Sequence, residues 1–148
     1  MALEGQSVCG FVWSALVADN GPGGVNSSLG GSVSTPGRIY RDRVPQAAAL
    51  PAATITLVSH VDENTLGGVR AFAMTLVDVR FIGTGSGYGS LNPLAARADV
   101  VLQDLVGTKD SVYVVKLRRT DVRAFVEDDA GAAFSHVIST YRSEAHAV

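Results

Sequence analysis

The run Gly83-Thr84-Gly85-Ser86-Gly87-Tyr88-Gly89-Ser90 is the segment whose residue types most invite a chemical reading. A glycine-rich loop between a strand and a helix lets backbone N–H groups close around a phosphate, and this loop stands at such a junction. Two requirements fail. No Lys-Ser/Thr pair follows at P-loop spacing, and Tyr88 or Ser90 breaks the G-x-G-x-x-G register, depending on where it starts. The histidines, His60, His136 and His146, stand singly, without a H-E-x-x-H or paired spacing, and the first two read as sheet-surface residues. Cys9 is alone, which excludes an internal disulfide and a cysteine-based zinc site. Asp62-Glu63 and Glu127-Asp128-Asp129 fall at expected hairpin turns, where solvated carboxylates are ordinary, and neither fits an EF-hand loop. No nucleophile-elbow pentapeptide appears, although a Ser-His-Asp arrangement is spatial and leaves no fixed trace in sequence. No catalytic, metal or cofactor-binding constellation is therefore expected, and the chain reads as a non-enzyme. A small nucleotide-binding domain using the Gly83–Ser90 loop stands as an alternative.

Arginine stands out instead. Ten Arg face two Lys, with clusters at Arg38/Arg41/Arg43 and Arg118/Arg119/Arg123. The planar guanidinium pairs bidentately and stacks, so it is favoured at protein interfaces, although codon bias accounts for the same excess. Charged residues are only 18% of the 148, hydrophobic residues 47%, and mean hydropathy is +0.22. Val (21) and Ala (19) supply over half of that hydrophobic set, so either the apolar residues are small or a partner covers some of them. A net charge of −2 argues against a sequence-specific nucleic-acid binder. No apolar run reaches membrane-helix length, and the N-terminus lacks the basic and apolar regions of a secretory signal. The expectation is one soluble, intracellularly made domain over residues 1–148.

The elements that must position any site follow from periodicity. Ser7 to Asp19 reads as a helix with Val8, Phe11, Val12, Ala15 and Leu16 on one stripe, stopped by Asn20-Gly21-Pro22. Residues 20–37 hold six Gly, four Ser, two Pro and no charge, and read as a flexible loop, either variable or ordered by a partner. Arg38-Ile39-Tyr40 is β-like. Ala53 to Val61 reads as a strand with Ile55, Leu57 and Val61 on one face. Val69 to Ile82 is the strongest strand, and Phe72, Met74 and Leu76 make its second face apolar too. Gly83–Ser90 is a second flexible loop. Leu91 to Val106 reads as a helix capped by Asn92 before Pro93, and Ser111–Glu127 and Ala132 onward read as a strand pair. The predicted class is α+β: an antiparallel sheet, two helices packed on one face, and a long projecting hairpin.

The stretch Arg38-Ile39-Tyr40-Arg41-Asp42-Arg43-Val44-Pro45-Gln46-Ala47-Ala48-Ala49-Leu50-Pro51 resembles the tail terminator (tail-completion) proteins of long-tailed bacteriophages. Ile39, Tyr40, Pro45 and Pro51 match that family's I-Y-x-x-x-x-P-x-x-x-x-x-P pattern, and the element order agrees over nearly the whole chain. Ala52 departs from the aromatic or β-branched residue common after the second proline, and both glycine-rich loops are long for the family. The resemblance implies a virion protein made in the host cytoplasm that forms a homo-oligomeric ring, typically a hexamer. Such a ring caps the tail tube protein at the head-proximal end, stops polymerisation and offers a surface to the head–tail connector, while the genome passes through its lumen. Another neck or minor tail component is the alternative within this class. On this reading Phe72, Met74, Leu76, Arg118 and Arg123 contact the neighbouring subunit, and the 20–37 loop faces an axial partner.

Overall fold

In the computed structural model, residues 2–68 and 70–148 are described; Met1 and Val69, the first residue of the expected strand, lie outside them. Helix α1 spans Ala2–Val17. Val8, Val12 and Leu16 recur every four residues and are fully buried, as a single apolar stripe requires. The helix starts five residues before the expected Ser7 edge, because Glu4 and Gly5 are themselves buried. Burial among apolar neighbours pushes the Cys9 thiol up to about 11, which leaves it protonated and unreactive.

Residues 20–37 differ from the loop expected there. They contain a short helix, α2 (Val25–Ser28), and Val25 and Leu29 are fully buried in the core. The organiser is Asn26, which is also fully buried. Its Nδ2 donates to Asn20 Oδ1 at 2.5 Å and to the Ser32 carbonyl at 3.1 Å, and its Oδ1 accepts from the Gly37 N–H at 2.7 Å. One amide side chain thus ties both ends of the segment together. Asp19 and Arg97 add a cross-link from α1 to the second long helix, Arg97 donating at 2.6 and 2.9 Å, and these bonds hold the Asp19 carboxyl below its ordinary range.

The strands are β1 (Ile39–Arg41), β2 (Ala52–Asn64), β3 (Arg70–Thr84), β4 (Gly107–Lys109), β5 (Val112–Asp129) and β6 (Ala132–Ala147). They form one six-stranded sheet in the order β1-β2-β3-β6-β5-β4, curled into a half-barrel. The sheet is mixed rather than antiparallel as expected. Asp42, at φ 67°, turns the chain out of β1, and the ten residues before β2 bring it back in the same direction, so Ile39 pairs with Ala53 in parallel. The other pairings are antiparallel.

Three further expectations are corrected by local geometry. A bulge between Leu57 and Ser59 reverses the alternation of β2, so Ile55 and Leu57 stay on the core face while Val61 moves to the other face opposite Met74. Helix α3 spans Asn92–Leu102, ending before the expected Val106, because Gln103 is extended and Asp104 adopts φ 60°. Its N-cap is Leu91, not Asn92, with Pro93 in the first turn. Besides the two long helices, α2 is a third.

The core gathers Val8, Val12 and Leu16 of α1 and Leu94, Ala98 and Leu102 of α3 with the odd positions of β3. Ala73, Thr75, Val77, Val79 and Phe81 are all buried, as the two-residue strand period predicts. Both long hairpins outrun this core. The β2–β3 register continues to Asn64 opposite Arg70, and the β5–β6 register to Asp129 opposite Ala132. Every residue of β5 from Arg118 to Asp129 is exposed.

Candidate functional site

The second face of the sheet is the surface the sequence left unexplained. Phe72, Met74 and Leu76 alternate with the buried odd positions of β3, are half-buried, and do not belong to the core cluster. Cross-strand register sets their neighbours. Leu76 lies opposite Ser59 on one side and Arg142 on the other, and Arg142 in turn lies opposite Arg118. Met74 lies between Val61, half-exposed, and Glu144, and Arg142 Nε sits 2.6 Å from Met74 Sδ. This face is therefore amphipathic, with aliphatic residues on β2 and β3 beside charged ones on β6 and β5. Met74, Leu76 and Arg118 are brought together. Phe72 lies at the end of the same face near His146, and Arg123 several rows away, where it pairs with Asp78 at 3.2 Å and Asp121 at 3.3 Å.

Next to Leu76 the face dips into a depression of about 520 Å³. Its lining includes Lys116, Arg118, Arg119 and Arg142, together with Glu144. Two register shifts in β5, between Val115 and Arg118 and between Arg119 and Asp121, produce it. Extra residues in one strand break strict alternation, so Lys116, Arg118 and Arg119 all line the same hollow, although the Arg119 guanidinium turns to Asp99. Lys116, at φ 43°, marks the strained point. Asp104 lies 3.7 Å from Lys116 and 3.6 Å from Arg118, and Asp99 lies 3.4 Å from Arg119. Arg142 makes no ion pair among the described residues. Sequence reasoning missed Arg142 and Lys116; Arg142 carried a signal, being in strand phase with Thr140 and Glu144, but the bulges that admit Lys116 did not.

His136 lies at the far end of the β5–β6 hairpin and is buried, not on the sheet surface as expected. Phe125 stacks on it with ring centroids 4.6 Å apart, and Glu127 Oε2 lies 3.2 Å from Nε2. Burial, and then the nearby Arg80 charge, lower its basicity; Glu127 opposes them. A histidine whose folded pKa is below the ordinary 6.5 destabilises the fold as pH falls through 6.5, because the unfolded chain takes the proton first. The urea midpoint should drop between pH 7 and 5, and His136→Gln should flatten that drop. An identical slope in the variant would remove His136 as its source.

Glu4, His60 and Asp62 form the one grouping among the described residues whose ligand-type atoms lie within 4.8 Å of one another. His60 Nε2 is 3.6 Å from Glu4 and 3.8 Å from Asp62, while Nδ1 is 3.1 Å from the Thr75 hydroxyl. The bulge in β2 is what turns His60 and Asp62 toward the α1 N-terminal turn. Ligands on a tetrahedral cation with bonds of about 2.0 Å are about 3.3 Å apart. The three groups stand farther apart than that, and suit a cation only after closing inward.

The residues that carry the sequence resemblance divide between structural and exposed roles. Ile39 is buried, and its carbonyl accepts from Trp13 Nε1 at 3.0 Å; the Pro51 carbonyl accepts from Arg38 Nε at 2.8 Å. Tyr40 and Pro45 line an open depression of about 640 Å³ with Arg41 and Arg43. In the Gly83–Ser90 segment, Gly83 and Thr84 belong to β3 and the Gly85 N–H donates to the Ala133 carbonyl, so those positions serve the sheet.

No family model and no curated protein matches the chain. Among solved structures, it is similar to a chain from the virion of a native gene transfer agent (GTA) particle, with a TM-score of 0.70 and 16% identity over 95% of each chain. At that identity the likeness establishes the fold, and establishes it over essentially the whole of both chains.

Proposed function

We propose that the chain is a structural protein of a phage-like virion, not an enzyme, and that it works as a self-assembled ring. On this reading the ring, a hexamer, caps the tail tube at its head-proximal end, stops tube growth and offers a surface to the head–tail connector. The observation that carries the proposal is the fold likeness to a virion-particle chain over 95% of both chains. The Ile39-Tyr40, Pro45 and Pro51 pattern supports the terminator role within that class.

The physical support is a sheet that leaves surface unused. β4 pairs only with Val112–Val114, and past it the Leu117 backbone bonds to Asp104 and Leu105 and the Arg119 N–H to Gln103, so among the described residues β5 has no partner strand on that edge beyond Arg119. β1 likewise pairs with only three residues of β2. Exposed strand edges are templates for pairing with another chain. Val122, Phe125 and Val126 lie exposed along one edge strand, Val58 and Val61 along the other. A contact between two different surfaces of identical subunits repeats head to tail and closes when its rotation allows.

Negative-stain imaging of particles assembled without this chain tests the role. Over-long tails without heads are expected. Tails of normal length that fail to join heads would reassign the chain to the connector, and normal joined particles would contradict both roles.

A further inference from the structure

The two ends of the β5–β6 hairpin carry opposite charge. At the turn, Glu127, Asp128 and Asp129 are consecutive and exposed, and neither Asp128 nor Asp129 makes an ion pair among the described residues. At the other end lies the depression with Lys116, Arg118 and Arg142. Arg118 pairs in register with Arg142, and Asp128 with Ala133, so nine residues of β6 separate the two sites. At about 3.4 Å per residue that is on the order of 30 Å. A paired strand holds its ends apart, so the tip cannot fold back onto the depression of its own chain.

We propose that the depression takes the hairpin tip of a second copy of this chain, the acidic tip of each copy seating on the basic hollow of the next. This rests on the reading that the chain assembles with itself, and names the contact. Apolar surface matches as well as charge: Phe134 lies opposite Glu127, on the face that Asp129 shares, and Met74 and Leu76 flank the hollow. Asp128 and Asp129 supply the partner that Arg142 lacks, and they add to the single carboxylate of Asp104 shared by Lys116 and Arg118. Because tip and hollow are different surfaces, the contact is heterologous. It repeats at a spacing of roughly 30 Å, comparable with the width of a domain whose radius of gyration is about 15 Å.

The test uses the full chain in two charge-reversed forms, Asp128→Lys/Asp129→Lys and Arg118→Glu/Arg142→Glu, with mass read by sedimentation velocity. Each form alone should self-associate at least about tenfold more weakly than the native chain, since like charges then face each other. An equimolar mixture should recover assembly, because each tip again meets a hollow of opposite charge; recovery also shows that both forms fold. If the Glu form does not fold, Arg118→Gln/Arg142→Gln should show the same loss. Native-like assembly by both reversed forms overturns the contact while leaving self-assembly intact. Loss in the Arg-reversed form alone, or a mixture that stays dissociated, overturns the hairpin tip as the occupant. A native chain that stays monomeric at every concentration overturns self-assembly and this contact together.

Discussion

Asn26→Ala is expected to lower the free energy of unfolding by about 3 kcal/mol, the largest effect of any single substitution outside the main core. The side chain is fully buried and satisfies the Ser32 carbonyl, the Gly37 N–H and the Asn20 amide oxygen. Alanine deletes those bonds and leaves the Gly37 N–H and the Ser32 carbonyl without these partners. Gly31 and Gly37 pack too closely around this site to collapse further: a Cβ on Gly31 would strike the Asn26 amide, and one on Gly37 would lie 2.8 Å from the Asn26 carbonyl. For a chain of this size the loss corresponds to a melting-point drop of roughly 6–12 °C. A drop under about 2 °C by calorimetry would mean that Val25 and Leu29 hold the segment without the amide. Asn26→Asp should recover part of the loss, since a carboxylate still accepts from Gly37 but cannot donate to Ser32.

Met74→Glu/Leu76→Glu should abolish assembly while leaving the monomer folded. Burying two such side chains contributes about 3 kcal/mol or more to an interface, and a glutamate there costs additional desolvation. Together these weaken association by on the order of a thousandfold. Both residues are only half-buried within one chain and stand outside the core, so the cost to folding is small. Light scattering on the variant should give a monomer with an unchanged melting point, and an unchanged oligomer would show that this face is not the interface.

The parts of the fold that were legible are those governed by simple repetition. Ala73 to Phe81 alternate without a break, and the odd residues are the buried ones. Val8, Val12 and Leu16 keep their four-residue spacing, and α1 follows it. Where one residue breaks a period, sequence reading fails. The bulge beside Val58 moves Val61 and His60 to opposite faces from those expected, since an inserted residue inverts everything beyond it. Asn26 illustrates a second limit, because a polar residue among Gly and Ser reads as loop until its three bonding partners are seen together. β4 is a third: Gly-Thr-Lys has no strand period, and it pairs only because the turn to β5 returns the chain beside it.

The candidate surface was legible in outline. Phe72, Met74 and Leu76 marked the second face of β3 correctly, because alternation alone assigns faces on an unbroken strand. The charges that share it were not, since Arg142 reaches Met74 only through the β3–β6 register and Lys116 enters the depression only through a bulge. Arg118 and Arg123 belong to one arginine cluster in sequence, yet Arg118 faces the depression while Arg123 is engaged by Asp78 and Asp121. Spacing along β5 does not separate these roles when two register shifts intervene.

The most direct test of self-assembly is the mass of the native chain across a concentration series, measured by multi-angle light scattering. A closed ring predicts one species of constant mass, about 92 kDa for six copies of the 15.4-kDa chain. A mass that stays at 15.4 kDa throughout, or that climbs without limit as an open polymer does, would contradict it.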